Sequence, residues 1–139
     1  MDPRWVKWIR VAGRVLLAAI FVLSGASKLF GWSGTVAYAA SHGVNAFLLA
    51  GATALELAGG LSLLTGYKAR WGSVALLVFL VPVTLVFHNF WALQGQQQQL
   101  EMVNFLKNVG IAGGLLMVLS SELAGATAVA GSPLPAPGR

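Results

Sequence analysis

A few ionisable and amide side chains interrupt otherwise apolar stretches of this sequence, and their types could bind or protonate a ligand. Glu56 stands in the run ATALELAGGLSLLTG, which is otherwise apolar, small or hydroxylated. A carboxylate in the middle of a lipid-embedded helix costs roughly 2.5 to 3.5 kcal/mol, so it must be neutral, paired or turned toward other polar groups. A carboxylate in such a place is a candidate for proton exchange with a ligand.

Candidate partners for this carboxylate occur in each of the other apolar stretches. Lys28 stands near the end of the first stretch, and His88 lies near the end of the third, in the run FHNFW. In the fourth stretch, Asn104 and Asn108 are four residues apart and share one helix face, with Lys107 beside them. We predict catalytic roles for Glu56, His88 and Lys28, and ligand contacts for Lys28, His88, Trp91, Lys107 and Asn108.

Four apolar stretches must position these side chains, and each is about 20 residues long, enough helix to cross the ~30 Å of bilayer hydrocarbon. They are Val11–Phe30, Ala46–Gly66, Trp71–Leu93 and Met102–Leu123. Because irregular backbone cannot face lipid, we predict an all-α, integral membrane four-helix bundle within residues 1–123. With 57% hydrophobic and only 9% charged residues, the sequence excludes a water-soluble globule.

The basic residues predict the orientation of the bundle. Four of them crowd the first span and two lie in the second loop, whereas the third loop has none, so both termini should be cytoplasmic. The polar cluster then falls in the outer half. Arg14 is expected to snorkel to the cytoplasmic headgroups. The net charge of +5 does not indicate nucleic acid, because no basic stripe alternates with polar side chains that could contact bases.

Cysteine is absent, so any redox role needs a bound cofactor or a partner. One histidine and one carboxylate within the spans lack the spacing of a metal centre, and we expect no metal. Ala52, Glu56 and Gly60 share a face, with Gly59 alongside, which should admit a neighbouring helix closely. We expect the same of Gly113 and Gly114, and Pro82 could kink the third span and open space for a ligand.

The segments outside the spans are expected to differ in order. The first outer loop should contain a short interfacial helix at Thr35–Ser41, with Trp32 and Tyr38 at the headgroup boundary. The third loop, Gln94–Glu101, is interpreted as a solvated loop, and residues 124–139 as a disordered tail.

Each candidate residue also has a purely structural interpretation. Lys28 and Lys107 could be interfacial anchors, and His88 could be an interfacial histidine without a ligand. The two asparagines could join helices. For Glu56, structural pairing and a functional role are equally compatible with the sequence.

Several motifs in order along the chain resemble one known family. They are FxxSGxxKLFG at Phe21–Gly31, GWSGTxxY in the first outer loop, ExxGGLxLLTG from Glu56, FHxFW around His88 and FLKNxxIAGG from Phe105. Together they resemble the DoxX family of small bacterial inner-membrane proteins over about residues 10–120. The resemblance implies a multi-pass inner-membrane bundle and marks Lys28, Glu56, Gly59, Gly60, His88, Lys107 and Asn108.

The resemblance implies two classes of function. One family member is the membrane subunit of a thiosulfate:quinone oxidoreductase, and another associates with enzymes of oxidative defence. We therefore expect a quinone-linked membrane redox subunit with an oxidoreductase partner. The alternative is a non-catalytic scaffold, assembly chaperone or cargo factor, as distant eukaryotic relatives are. A small-solute carrier would require the chain to form a homo-oligomer.

Overall fold

A computed structural model describes residues 3–130 of the 139-residue chain, and in this part the chain is almost entirely helical. A single 3₁₀ turn at Phe90–Ala92 separates the last two helices. The helices are α1 (Pro3–Phe30), α2 (Trp32–Ser41), α3 (Ala46–Thr65), α4 (Ala69–Phe87) and α5 (Gly95–Ala130).

Four of the helical segments in residues 3–130 are long and apolar enough to cross a membrane. They are Arg4–Phe30, Ala46–Thr65, Ala69–Ala92 and Gly95–Thr127. This confirms the predicted all-α bundle with four spans. The spans pack antiparallel in the order α1, α3, α4, α5, and among the neighbouring spans α1 and α5 make the least contact. The short helix α2 lies at the end where α1 leads into α3, which we call the α2 end, and the opposite end, with Pro3 and Ala130, is the terminal end.

Glycines set the close packing of α3 against both neighbours. A Cβ on Gly60 would lie 3.0 Å from the Val22 side chain and 3.3 Å from the Val22 backbone nitrogen. At the preceding position, a Cβ on Gly59 would lie 2.7 Å from the Leu76 side chain on α4. The predicted close approach along this face of α3 is therefore confirmed. In α5, Gly114 packs against Leu17, but Gly113 has no such neighbour within 4 Å, so the prediction for Gly113 was wrong.

The helix boundaries differ most from the predicted ones at four places. Helix α1 begins at Pro3, eight residues before the predicted Val11. Helix α5 begins at Gly95, so the glutamine run that was interpreted as a solvated loop is helical. Glutamine is a good helix former, and polarity alone does not indicate a loop. Helix α4 ends at Phe87, before the predicted Leu93, and α5 continues to Ala130, into the segment predicted to be a disordered tail. The rest of that tail, residues 131–139, lies outside the described part.

The proline in α4 does not end the helix. Helix α4 continues through Pro82 to Phe87. Proline has no N–H, so the carbonyl four residues earlier, that of Val78, loses its usual helical donor. Both Val78 and Pro82 line the cavity described below.

Candidate functional site

A cavity of about 570 Å³ lies inside the α2 half of the bundle, with contributions from all five helices. Its wall is mostly aliphatic and aromatic, and it includes Phe21, Phe79 and Phe87. Four of the predicted site residues also line it: Lys28, Glu56, His88 and Asn108. Polar groups from separate spans therefore share one cavity, which is the convergence that the cost of polar groups in lipid predicts.

A buried ion pair forms the deepest polar feature of this cavity. The Lys28 ammonium lies 2.9 Å from Glu56 Oε2 and 3.2 Å from Oε1, and it donates a further hydrogen bond to Ser24 Oγ at 2.7 Å. The Glu56 side chain is 3% exposed and that of Lys28 is 25% exposed. The carboxylate is thus held by the lysine, while the lysine also borders the cavity.

Close packing of α1 on α3 brings this pair together. A Cβ on Gly25 would lie 2.6 Å from the Leu57 side chain, too close for a real contact, so glycine at this position admits the close approach of α3 to α1. Lys28 follows Gly25 by less than one turn, which places its side chain at the level of Glu56. The sequence predicted Lys28 at the outer end of the first span and Glu56 near mid-membrane. The two side chains meet because α1 and α3 are shifted along their axes relative to each other. This shift cannot be deduced from either helix alone.

A second polar cluster lies nearer the α2 end. His88 Nδ1 is 2.6 Å from Glu101 Oε2, and Asn104 donates to the same oxygen at 3.3 Å. An ionised carboxylate only accepts hydrogen bonds, so this contact with an ionised Glu101 requires a proton on His88 Nδ1. Asn108 donates to Thr84 Oγ1 at 3.0 Å, which joins α5 to α4.

Glu101 and Thr84 do not line the cavity, but they are the hydrogen-bond partners of His88 and Asn108, which do, and sequence reasoning missed both. Glu101 was assigned to a solvated loop, although Glu101, Asn104 and Asn108 follow the i, i+3, i+7 spacing of one helix face. That spacing indicates that the three side chains lie on one helix face. It can be recognised only if the fourth span is assumed to begin before Glu101, within the glutamine run.

The two polar clusters occupy different levels of the cavity. Gly59 packs against Leu76 and against the carbonyl of Gly72, which sets the level of α3 relative to α4. From the helical rise, His88 lies roughly 15 Å farther toward the α2 end than Glu56. Glu56 and His88 therefore line one cavity without touching each other, and they would contact different parts of an elongated ligand.

Two predicted ligand contacts are not brought to the cavity. Trp91 lies on the 3₁₀ turn after α4, is 56% exposed and packs edge-on against Phe90 and Phe105. Lys107 is exposed on α5 and does not line the cavity, because it projects from a different side of the helix than Asn108. The prediction for Trp91 assumed that the third span continues as a helix through this position. Because α4 ends earlier, Trp91 does not reach the cavity.

Aromatic side chains cover the cavity at the α2 end. Tyr38 of α2 stacks on Phe87 with 5.6 Å between ring centroids, and the His42 ring lies 5.0 Å from the same phenylalanine. Burial, and to a lesser extent the charge of Glu101, raises the pKa of the Tyr38 phenol above its ordinary value. Tyr38 therefore stays protonated and lines the cavity as a neutral hydroxyl.

Comparison with known sequences places these residues in a family. The DoxX sequence profile matches residues 9–89, a segment that contains Lys28, Glu56 and His88. This chain belongs to the DoxX family. Two inner membrane proteins of Escherichia coli strain K12 are similar to it. YphA is 31% identical over 107 residues, 76% of each chain. YqjF is 30% identical over 108 residues, 78% of this chain and 79% of the relative. No solved structure shows significant similarity.

The DoxX match and the four spans together make this chain a multi-pass inner-membrane protein. The DoxX segment supplies α1 to α4 and the buried ion pair, whereas Glu101, Asn104 and Asn108 come from α5, beyond the matched residues. In chemical terms, the cavity offers a cationic hydrogen-bond donor and a carboxylate at one level, and an imidazole paired with a second carboxylate at another.

Proposed function

We propose that this DoxX protein binds a quinone headgroup in the cavity and acts as the membrane subunit of a quinone-linked redox system. The observation that carries the proposal is the Lys28–Glu56 pair in the wall of a mostly apolar cavity. A quinone headgroup is a flat, largely apolar ring with two carbonyl acceptors. Such a ligand requires apolar walls and a small number of polar groups that fix its orientation.

The residues present fit this group in size and chemistry. A cavity of about 570 Å³ lies within the range of roughly 300 to 1,000 Å³ that small-molecule sites occupy. Phe21 and Phe79, which pack edge to face, offer aromatic surface for a ring. Lys28 offers a charged donor to a carbonyl oxygen, and charge-assisted hydrogen bonds are the strong ones in an apolar site.

Each polar residue then has a role that follows from its position. A bound quinone would supply reversible uptake of electrons and protons. Lys28 would hold a carbonyl oxygen, and Glu56 would keep the ammonium in place and hold a proton at its carboxylate. His88, paired with Glu101 nearer the α2 end, would exchange protons between the cavity and the aqueous side.

Electrons must reach this site from another protein. The chain has no cysteine, so it offers no thiol couple of its own. We propose a soluble or membrane oxidoreductase as the partner that supplies them, which agrees with a role as one subunit of a larger system.

The direct test is chemical. The protein would be purified from native membranes in mild detergent, extracted with solvent, and the quinone per chain quantified. We expect retained quinone, and rebinding of added short-chain quinone to the extracted protein. The variant Glu56→Gln would be measured in the same way. Glu122→Gln, the same change outside the cavity, serves as its matched control. An empty protein that also fails to bind added quinone would contradict the proposal.

A non-catalytic scaffold is the second candidate, and one observation favours it. Lys28, Glu56 and Ser24 satisfy one another without any ligand, so the cluster could serve only to join α1 to α3. Glu56→Gln distinguishes the two functions. A scaffold should lose stability or partner retention in this variant, whereas a redox subunit should keep its assembly and lose turnover. The amide still offers Lys28 an acceptor but cannot take up a proton.

A further inference from the structure

The geometry points to a binding site for an anionic phospholipid in a groove between α1 and α5 at the terminal end of the bundle. This groove, which we call the terminal groove, has a volume of about 1400 Å³ and lies away from the quinone cavity. Its lining combines basic side chains, hydroxyl groups and apolar residues.

The groove exists because α1 and α5 separate toward their ends. The two helices touch where a Cβ on Gly114 would lie 3.0 Å from the Leu17 side chain. From that contact toward Pro3 and Ala130 they pack no closer, and Gly13 and Gly125 leave the space between them open, with nothing within 4 Å of an added Cβ. When two spans separate inside a membrane, the slot between their apolar walls must be filled by lipid.

Three cations line one side of the slot. Lys7, Arg10 and Arg14 follow the i, i+3, i+7 spacing of one helix face, and all three border the groove. The opposing helix contributes Ser120 and Ser121 and one carboxylate, Glu122. Within residues 3–130 no ion pair joins Glu122 to any of the three cations, so the groove carries a net positive charge.

Arg14 carries the strongest indication of an absent anion. Its Nε is buried and has no hydrogen-bond partner within the described residues. Its terminal nitrogens lie against Gly66, the left-handed residue that ends α3, within 2.6 to 2.8 Å of where a Cβ would stand. The carboxyl end of a helix attracts a cation, which fixes the guanidinium there, but it leaves the Nε donor unsatisfied. Snorkelling alone, which the sequence predicts for Arg14, does not account for this buried donor.

The walls of the groove identify the occupant as a lipid. The lining also includes the aliphatic side chains of Val11, Leu17, Met117 and Val118, and Leu17 lies farther into the bundle than any of the three cations. A phosphate at the arginines with acyl chains along these residues satisfies both parts of the slot, whereas a free anion would leave the apolar part empty. Basic pockets between membrane spans are typical sites for anionic headgroups.

Native mass spectrometry of the full-length, delipidated protein tests this assignment. Phosphatidylglycerol and phosphatidylcholine with identical acyl chains would be added in separate titrations, and inorganic phosphate in a third. We expect phosphatidylglycerol to bind more tightly than phosphatidylcholine. Arg10→Gln and Arg14→Gln should each lower the affinity for phosphatidylglycerol by about fivefold, which is the contribution of one basic residue near an anionic lipid.

Two further variants separate the site from general charge and from folding. Arg70→Gln removes the same charge from the first turn of α4, where Arg70 stacks on Trp71 outside the groove, and should leave the affinity unchanged. Gly13→Leu keeps every charge and has room for its side chain, but it narrows the slot and should weaken lipid binding.

Three results would overturn the assignment. Equal affinity for the two lipids would remove the role of the cations. Displacement of phosphatidylglycerol by inorganic phosphate alone would indicate a free-anion site. A lipid-free dimer whose contact protects α1 and α5 would show that a second copy of the chain fills the groove.

Discussion

The two halves of the bundle treat a partly buried cation in opposite ways. In the α2 half, the Lys28 ammonium lies 2.9 Å from a carboxylate on the neighbouring span. At the terminal end, Arg14 has no carboxylate partner within the described residues, and its Nε is buried without an acceptor. One site compensates its own charge, and the other does not. This difference is the basis of the two proposals: a neutral ligand with acceptor oxygens for the first site, and an anion for the second.

This contrast follows from which helices meet. Helices α1 and α3 approach so closely that glycine is required at the contact, which brings Glu56 under Lys28. Helices α1 and α5 separate beyond Leu17, so the one carboxylate on that part of α5, Glu122, pairs with none of the three groove cations. Close packing therefore produces an internal ion pair, and loose packing leaves the cations for lipid.

The largest effect is expected from removing the carboxylate of the compensated pair. Glu56→Ala leaves Lys28 without its partner and should lower the free energy of unfolding by about 2 kcal/mol, below the 3 to 5 kcal/mol of a fully buried charge because Lys28 is 25% exposed. Thermal unfolding in detergent would measure it. Glu122→Ala should change stability by less than about 0.5 kcal/mol. Equal losses in the two variants would show that the ends do not differ as described.

Removing both members of the pair should restore most of that stability. In Lys28→Met/Glu56→Leu, no charge is left unpaired and apolar side chains of similar length fill the space, so the double variant should unfold within about 1 kcal/mol of the wild type. A double-mutant cycle gives the coupling between the two positions. A double variant as unstable as the sum of its single variants would mean that the two side chains act independently.

A smaller loss of stability is expected from a change in the His88–Glu101 pair. Glu101→Gln keeps an acceptor near His88 and Asn104, and both ionic partners are partly exposed, so the loss should be about 0.5 kcal/mol. Unfolding under the same conditions provides the comparison. A loss as large as that of Glu56→Ala would place the main electrostatic support of the bundle at the α2 end instead of deeper in the cavity.

The fold could be predicted from sequence because lipid imposes a strong and simple constraint. An apolar stretch of about 20 residues must be a helix, and four such stretches leave little choice of architecture. The ends of α4 and α5 could not be placed, because hydropathy falls at the membrane surface whether or not the helix continues. The glutamine run before Glu101 shows this: it is polar, yet helical.

The site was predicted in composition but not in geometry. The cost of polar groups in hydrocarbon required Lys28, Glu56, His88 and Asn108 to turn inward, and all four line the cavity. The direct pairing of Lys28 with Glu56 depends on the relative shift of α1 and α3, which is set by Gly25 and Gly60. The contact between His88 and Glu101 depends on where α4 ends. Neither quantity can be obtained from the periodicity of a single span.

The most direct test of whether the ion pair marks a ligand site is equilibrium binding of a short-chain quinone to the wild type and to Lys28→Met/Glu56→Leu, compared where both are fully folded. If the pair orients a quinone, the wild type binds and the double variant, with its cavity otherwise intact, loses at least about tenfold in affinity, the equivalent of one charge-assisted hydrogen bond. Equal affinity in the two proteins, or no binding to the wild type, would show that Lys28 and Glu56 only join α1 to α3.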